Sequence, residues 1–284
     1  MDTNLKFGDF EKKYSMLENS SIVIIPVPYD ETSSWIKGSK KGPYAILEAS
    51  NYLEYYDIET KSEVYLQGIY TTEPVLNSQT PDQMVNSVYE EVVKYLKQDK
   101  FVVLIGGNHS ISIGAIKSFA NYFNNLTILQ LDAHSDLRNE YMGSKYNHAC
   151  VMARALEYCN IVQVGIRSMD KEELKLVNSE KIFYAHEYNS EKNELIINQL
   201  TENVYITIDL DVFDPSVVPS TGTPEPGGFF WNDVNNLLKS ISKNSNIVGF
   251  DIVELCPNEI FKASDFLAAK LLYRLLSEIF AKYQ

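Results

Sequence analysis

The segment LTILQLDAHSD, residues 126–136, joins an apolar run to a group of acidic and imidazole side chains. Leu126 to Leu131 is apolar at most positions, which is typical of a strand buried on both faces of a parallel sheet. Asp132, His134 and Asp136 follow at alternate positions, so their side chains can point the same way in an extended chain. We therefore predict a buried strand that ends in metal ligands.

A second acidic pair ends another apolar run. Asp209 and Asp211 follow residues 204–208, again at alternate positions. Carboxylates crowded together oppose one another's ionisation, and bound divalent cations remove that penalty. Each motif alone is also compatible with a capped turn carrying solvated acids, but their joint position at two strand ends favours a two-metal site.

A glycine-rich segment supplies one more imidazole. The sequence GGNHS, residues 106–110, follows an apolar run at 101–105 and contains His109. The alternatives are a simple strand-to-helix turn or a phosphate-binding helix N-terminus, although the segment lacks the signatures of nucleotide loops. Oxygen-rich ligands without a thiolate favour Mn²⁺ over zinc. The full predicted set is His109, Asp132, His134, Asp136, Asp209 and Asp211.

Composition bounds the class of protein. The 284 residues are 45% hydrophobic and 22% charged, as in soluble globular proteins. A formal net charge of −13 argues against nucleic-acid or anionic-membrane partners, and serves either solubility or attraction of a cationic ligand. We find neither a membrane-spanning run nor a signal-peptide pattern, so we expect a cytoplasmic protein. Cys150, Cys159 and Cys256 predict neither a disulfide framework nor a thiolate zinc site.

Strand and helix patterns alternate along the whole chain. The predicted strands cover residues 21–26, 64–70, 101–105, 126–131, 161–166, 182–184, 204–210 and 247–253. The predicted helices cover residues 43–55, 80–98, 112–122, 148–158, 170–178, 231–242 and 263–282. This alternation predicts one α/β domain, residues 1–284, with helices on both faces of a mostly parallel sheet of eight strands. Ligands bind outside the carboxyl ends of strands in such folds.

Other polar residues at these strand ends are candidates for catalysis. His148 precedes a predicted helix and is either a catalytic histidine or a surface cap. Glu254 ends the strand at 247–253 and either pairs with a cationic substrate or caps the next turn. The Pro/Gly-rich loop at 213–228 closes over the site or is a rigid connector. We interpret Cys150 as packing and His186 as structural.

These motifs together resemble the ureohydrolases, the arginase and agmatinase superfamily, and are most similar to bacterial or archaeal agmatinases. The resemblance covers nearly the whole chain and implies an arginase-like three-layer α/β/α fold of eight parallel strands. The motifs that carry it are GGNHS at 106–110, DAHSDLR at 132–138, NHA at 147–149, TIDLDVFDP at 207–215, GTPEPGG at 222–228 and DIVELCP at 251–257.

The resemblance also implies residue roles. The six predicted ligands would bind two Mn²⁺ per chain, with Asp132 and Asp209 as bridges. The reaction would be hydrolysis of a guanidino group to urea and an amine by a water molecule that the metals acidify. Asp136 would hold that water and relay its proton, and Glu254 would hydrogen-bond the guanidinium group. His148 would contact the substrate or shuttle protons.

The resemblance favours agmatine as the small cationic substrate, giving urea and putrescine in polyamine biosynthesis. Arg138 would lie near the mouth of the site and bind substrate, as in agmatinases, and no arginase-type carboxylate binders are evident. Guanidinobutyrate, arginine and formimidoylglutamate remain alternatives, because the same core fits different loops. The family implies a homotrimer or homohexamer, with no nucleic acid or membrane partner.

One residue departs from the family's pattern. Asn108 stands where an acid usually precedes the first metal-binding histidine. An acid there would add negative charge and orient His109 from behind, so we expect Asn108→Asp to tighten manganese binding. The alternatives of another class are a catalytically silent metal-binding homologue, which Asn108 suggests, and a nucleotide-binding α/β protein.

Overall fold

Parallel strand pairing organises the chain. The structure is a computed structural model that describes residues 5–76 and 80–281. Its strands are β1 (Ile22–Val27), β2 (Ile69–Thr71), β3 (Phe101–Gly106), β4 (Leu126–Leu131), β5 (Asn160–Ile166), β6 (Ile182–Tyr184), β7 (Asn203–Asp209) and β8 (Asn246–Val253). Within the described residues, these eight strands form one parallel sheet in the order β2-β1-β3-β8-β7-β4-β5-β6. The predicted parallel sheet is confirmed.

Seven of the predicted strands agree with the observed ones to within one residue. The prediction for residues 64–70 is only half correct, because Val64–Gln67 forms a 3₁₀ helix and the strand begins at Ile69. Gly68 separates the two with a φ of 75°. A Cβ atom there would lie 2.4 Å from the carbonyl oxygen of Asn19, so this turn requires glycine.

The helices are α1 (Gly42–Ser50), α2 (Pro81–Leu96), α3 (Ser112–Tyr122), α4 (Val151–Ala155), α5 (Lys192–Ile197), α6 (Trp231–Asn244) and α7 (Ala263–Phe280). In α2, the predicted cap is confirmed, since Thr80 Oγ1 accepts a hydrogen bond from the Gln83 N–H at 3.3 Å. The predicted helices at 43–55 and 148–158 are shorter in the structure, and α5 was not predicted. The predicted end of the last helix at Lys282 lies outside the described residues.

The helix predicted over 170–178 is wrong. The segment Lys171–Lys175 is a short 3₁₀ helix, capped by the side chain of Asp170. Leu174 and Leu176 are 53% and 46% exposed, so no apolar stripe is buried against the sheet to stabilise a full α-helix. The segment is instead a turn beside the carboxyl edge of the sheet.

Helices cover both faces of the sheet. One hydrophobic core contains side chains of α1, α6 and α7, including Ile46, Leu237 and Leu272. The other contains side chains of α2, α3 and α4. The result is the predicted three-layer α/β/α arrangement. Among the described helices, none is long and apolar enough to cross a membrane.

Parallel pairing brings the polar motifs to one edge. The carboxyl ends of β3, β8, β7 and β4, which are neighbours in the sheet, lead directly to the motifs around His109, Glu254, Asp209 and Asp132. Residues far apart in sequence therefore meet above the centre of the sheet, where ligands collect in open α/β folds.

Candidate metal centre

Buried acids surround the imidazole of His109. Its Nδ1 atom lies 3.1 Å from Asp132 Oδ2, 3.0 Å from Asp136 Oδ2 and 3.5 Å from Asp209 Oδ2. All four side chains are at most 6% exposed. His109 Nδ1 is buried and has no hydrogen-bond donor or acceptor partner among the described residues. The Nδ1 atom therefore points into a cluster of carboxylates, as a metal ligand would.

A second group overlaps the first. His134 Nδ1 lies 2.9 Å from Asp211 Oδ2 and 3.7 Å from Asp132 Oδ1. Asp132 therefore faces one imidazole with each of its oxygens. Two sets of ligand atoms each fit within 4.8 Å: one from His109, Asp132 and Asp136, and one from Asp132, His134 and Asp211. Their chemistry, carboxylate oxygen with imidazole nitrogen, fits a pair of divalent cations that share Asp132.

Hydrogen bonds from one neutral side chain and one backbone N–H group hold Asp132 in place. Gln130 Nε2 donates to Asp132 Oδ2 at 2.7 Å, and the His134 N–H donates to Oδ1 at 2.6 Å. Gln163 Nε2 in turn donates to Gln130 Oε1 at 2.6 Å. Sequence reasoning missed both glutamines, which lie inside strands and show no motif of their own.

The charges of the cluster are not balanced by protein groups. Burial opposes a charge on His109, but the nearby carboxylates of Asp132 and Asp136 raise its pKa well above the usual range. Burial and the charge of Asp132 raise the pKa of Asp136 to about 7. Burial and the neighbouring acids also raise the pKa of Asp209. Protons thus occupy positions that divalent cations would take, and metal binding would release them.

The side chain before the first histidine points elsewhere. Asn108 Nδ2 donates to Thr32 Oγ1 at 2.7 Å, and Asn108 Oδ1 accepts from Ser110 Oγ at 2.6 Å. Among the described hydrogen bonds, the partner of the His109 ring is Thr207, whose Oγ1 lies 2.8 Å from His109 Nε2. The expectation that position 108 orients His109 is therefore corrected: that contact belongs to a residue of β7.

Glu254 contacts the same histidine through the main chain. Its Oε1 atom accepts a hydrogen bond from the His109 N–H at 2.7 Å. Burial raises the pKa of Glu254 to about 8, although that hydrogen bond lowers it. Glu254 and Asp136 have φ values of 66° and 51°, a conformation that non-glycine residues rarely adopt. Such strain is typical of functional sites.

A cavity of about 250 Å³ opens beside the acids. Its walls bring together several predicted site residues, while Glu254 is not among them. The residues that line it include His134, Asp136, Arg138, Tyr141, His148, Asp170 and Glu173. Arg138 is not a free cation, because its Nη2 atom lies 3.0 Å from Asp170 Oδ2. The guanidinium group also lies 4.9 Å from the centre of the Tyr141 ring.

His148 is largely buried in this wall. Burial lowers the pKa of His148 to about 4, so its imidazole is neutral at pH 7. Its Nδ1 atom is buried without a hydrogen-bond partner among the described residues. Cys150 is fully buried, in agreement with the prediction that it packs in the core. His186 is exposed on the surface, and its structural role stays a prediction.

The Pro/Gly-rich loop is held over the site by a partly buried arginine, Arg167, that the sequence did not reveal. Arg167 Nη2 donates to the carbonyl oxygens of Asp211 and Glu225, at 2.6 and 2.9 Å. Asp214 Oδ2 accepts from the Gly227 and Gly228 N–H groups, which closes the loop on itself. Glu225 Oε1 then lies 3.8 Å from His134 Nε2.

Comparison with known proteins agrees with this geometry. Residues 20–277 match the model of the arginase family. The N(1)-aminopropylagmatine ureohydrolase of a Synechocystis species is 38% identical, over 91% of this chain and 89% of that protein. The agmatinase of Pyrococcus horikoshii is 30% identical, over 93% of this chain and 94% of that protein.

A solved structure shows the same fold. The agmatine ureohydrolase of Thermoplasma volcanium superposes with a TM-score of 0.85 and 31% identity, covering 94% of this chain and 92% of that one. One assignment follows from these matches, from the eight-stranded parallel sheet, and from the two groups of acids and imidazoles that share Asp132. The chain belongs to the arginase family of ureohydrolases, enzymes of the agmatinase type that act on guanidino groups.

Proposed function

We propose that this protein hydrolyses the guanidino group of a linear polyamine, releasing urea, with two Mn²⁺ ions bound between His109 and His134. The observation that carries the proposal is Asp132, which faces both imidazoles, one of which, His134, lines the cavity together with Asp136 and His148. The predicted ligand Asp209 completes the group, 3.5 Å from His109. Oxygen-rich ligands without a thiolate support manganese.

Each nearby side chain has a proposed role. When bound, the two cations would acidify a water molecule and polarise the guanidino group. Asp136 lines the cavity beside His134, so it would take a proton from that water and return it to the departing amine. Glu254 would hydrogen-bond the guanidinium group through Oε2, because its Oε1 already accepts from the His109 N–H. Neutral His148 would contact the substrate or accept a proton from it.

The proposed substrate is N1-aminopropylagmatine. This name describes agmatine with an added aminopropyl group, and therefore with one more amine. The cavity wall carries three acids, Asp136, Asp170 and Glu173, against one arginine, Arg138, and the chain has a net charge of −13, so an extended polycation is favoured over an acidic tail. Arg138, paired with Asp170, leaves little free positive charge to attract a carboxylate. The relative that is 38% identical carries this substrate in its name.

Agmatine is the second candidate. It shares the guanidino end and lacks only the aminopropyl extension, and the solved structure with a TM-score of 0.85 is an agmatine ureohydrolase. Its hydrolysis would give putrescine and urea. Both candidates place the same group beside the acids, and they differ only at the outer part of the cavity.

A substrate panel tests the proposal. Manganese-loaded protein would be assayed for urea with N1-aminopropylagmatine, agmatine, arginine and 4-guanidinobutyrate, and the amine product would be identified by mass spectrometry. We expect urea from the first two, with the higher kcat/KM for the aminopropyl compound. Asp136→Asn should lose activity, whereas Glu187→Gln, which changes an exposed acid, should not. The absence of urea from every compound would leave the silent metal-binding homologue as the better account.

The wider organisation is also proposed. We propose one domain spanning residues 1–284, supported by the family match over residues 20–277 and by the single sheet of the described residues. We further propose a cytoplasmic homotrimer or homohexamer. Light scattering on the purified protein would measure the subunit number, and a monomeric mass would contradict it.

A further inference from the structure

A chain of hydroxyl groups lies behind His109, on the side away from the acids. His109 Nε2 lies 2.8 Å from Thr207 Oγ1, and Thr207 Oγ1 donates to Asp251 Oδ1 at 2.6 Å. A threonine hydroxyl has one proton to donate. Because that proton is directed to Asp251, the Thr207 oxygen accepts from the N–H at Nε2 of His109. Nδ1, which faces Asp132 and Asp136, is then the nitrogen that would release its proton and bind a metal ion.

The end of this chain is a fully buried carboxylate. Asp251 lies opposite Thr207 in the pairing of β7 with β8, and its exposure is 0%. Its second oxygen, Oδ2, accepts from the Tyr205 hydroxyl at 2.6 Å. Within residues 5–76 and 80–281, Asp251 forms no ion pair with a basic side chain. A buried carboxylate is costly unless it is hydrogen-bonded and balanced by nearby positive charge.

We propose that Asp251, acting through Thr207, is a positioning residue that fixes the tautomer and the ring orientation of His109, so that Nδ1 binds a metal ion. The inference rests on the proposed two-metal site. The negative charge of Asp251 attracts the hydroxyl proton of Thr207, which makes the Thr207 oxygen a stronger acceptor for His109. A histidine held in this way is a more basic and better oriented ligand.

This role accounts for one feature of the sequence. The usual acid before the histidine is replaced by Asn108, whose side chain contacts Thr32 and Ser110 instead. The charge behind His109 is supplied from β8 by Asp251. The alternative is that Thr207 and Asp251 only join β7 to β8, in which case their loss would lower stability without changing metal affinity.

Two substitutions at position 207 separate these possibilities. Thr207→Val keeps the shape of the side chain but removes the acceptor for His109, whereas Thr207→Ser keeps the hydroxyl. Mn²⁺ titrations of the whole protein, read from the EPR signal of free Mn²⁺, would give the number of ions and each Kd. We expect Thr207→Val to raise the Kd of one of the two Mn²⁺ ions by about 10- to 100-fold, the range for contacts that support a metal ligand. Thr207→Ser should restore the affinity.

A second pair of variants tests the charge itself. Asp251→Asn keeps an oxygen that accepts a hydrogen bond from Thr207 but removes the negative charge. It should weaken the binding of the same Mn²⁺ ion. Tyr205→Phe removes only the hydrogen bond from Tyr205 to Asp251 Oδ2, and it should leave the Kd of both ions close to the wild-type values. Melting of the metal-free proteins would show whether each variant folds, and Asp251→Asn gives the answer should Thr207→Val fail to fold.

The outcomes are distinct. Wild-type Kd values for both ions in Thr207→Val and in Asp251→Asn would overturn the inference, as would a Thr207→Ser protein as weak as Thr207→Val. If the wild-type protein itself binds no pair of ions, the proposed two-metal site fails first. If it binds two ions but releases no urea, the proposed reaction fails while the positioning role of Asp251 is still measured.

Discussion

Asp132 Oδ2 lies 3.1 Å from His109 Nδ1, although the two residues come from the ends of different strands. The other oxygen of Asp132 lies 3.7 Å from Nδ1 of His134. One carboxylate thus joins the two groups of ligand atoms into a single centre. If two cations bind here, the loss of this carboxylate removes a ligand from both.

Replacement of Asp132 should therefore abolish function. Asp132→Ala should eliminate urea release and reduce bound manganese to fewer than two ions per chain, because a bridge is lost. Elemental analysis of the dialysed protein would measure the metal content. Asp132→Asn provides an isosteric comparison, and Glu187→Gln controls for the loss of a surface acid. Two retained ions in Asp132→Ala would refute the bridging assignment.

The main parts of the fold are predictable because each strand carries its own local pattern. The runs at 126–131 and 182–184 have the predicted boundaries, and the first of them is buried at every position, which leaves little ambiguity. The turn at 171–175 was mistaken for an α-helix because sequence alone does not show that Leu174 and Leu176 are exposed. A helix of that length depends on tertiary burial.

The site is predictable only where its residues follow strand ends in short motifs. His134 and Asp136 lie within a few residues of Asp132, so alternation alone predicts their proximity. Thr207 and Asp251 come together through the register of β7 with β8, which no local pattern specifies. Thr207 and Asp251 begin the motifs at 207–215 and 251–257, and Thr207 lies two residues before Asp209 on the same side of the strand, but neither motif shows that the two residues meet.

The substitution Asn108→Asp should lower stability and should not tighten manganese binding. The Asn108 amide donates to Thr32 and is fully buried, so an ionised carboxylate there would lose a donor and its hydration. We expect a loss of about 1–3 kcal/mol in the free energy of unfolding, the usual cost of an unpaired buried polar group. Urea denaturation and an Mn²⁺ titration would measure the two effects. A lower Kd for manganese would revive the expectation from the sequence.

Stability of the metal-free protein should depend on pH through His148. Burial lowers the pKa of His148 from 6.5 to about 4, so the unfolded chain binds a proton in this range that the folded protein excludes. The contribution of neutral His148 is complete above pH 6.5 and is lost as the pH falls toward 4. Urea unfolding at several pH values should show a smaller acid-side loss in His148→Gln than in wild type. His186→Gln, at an exposed site, is the matched control; equal slopes in all three proteins would contradict the prediction.

Removal of the cavity arginine should alter selectivity for the substrate tail. Arg138 partly neutralises Asp170, so Arg138→Gln makes the cavity more negative. We expect the ratio of kcat/KM for agmatine over 4-guanidinobutyrate to rise about fivefold, corresponding to roughly 1 kcal/mol for one charge near the tail. Lys145→Gln tests a lysine outside the set of residues that lines the cavity. A fall in this ratio would show that Arg138 itself binds the cationic substrate.

The central claim is a pair of cations that share Asp132. Diffraction at the manganese absorption edge, from crystals of the manganese-loaded protein, would locate the ions directly. The account predicts two anomalous peaks about 3.5–4 Å apart, one beside His109 and one beside His134, with Asp132 in contact with both. A single peak, or two peaks that do not share Asp132, would contradict it.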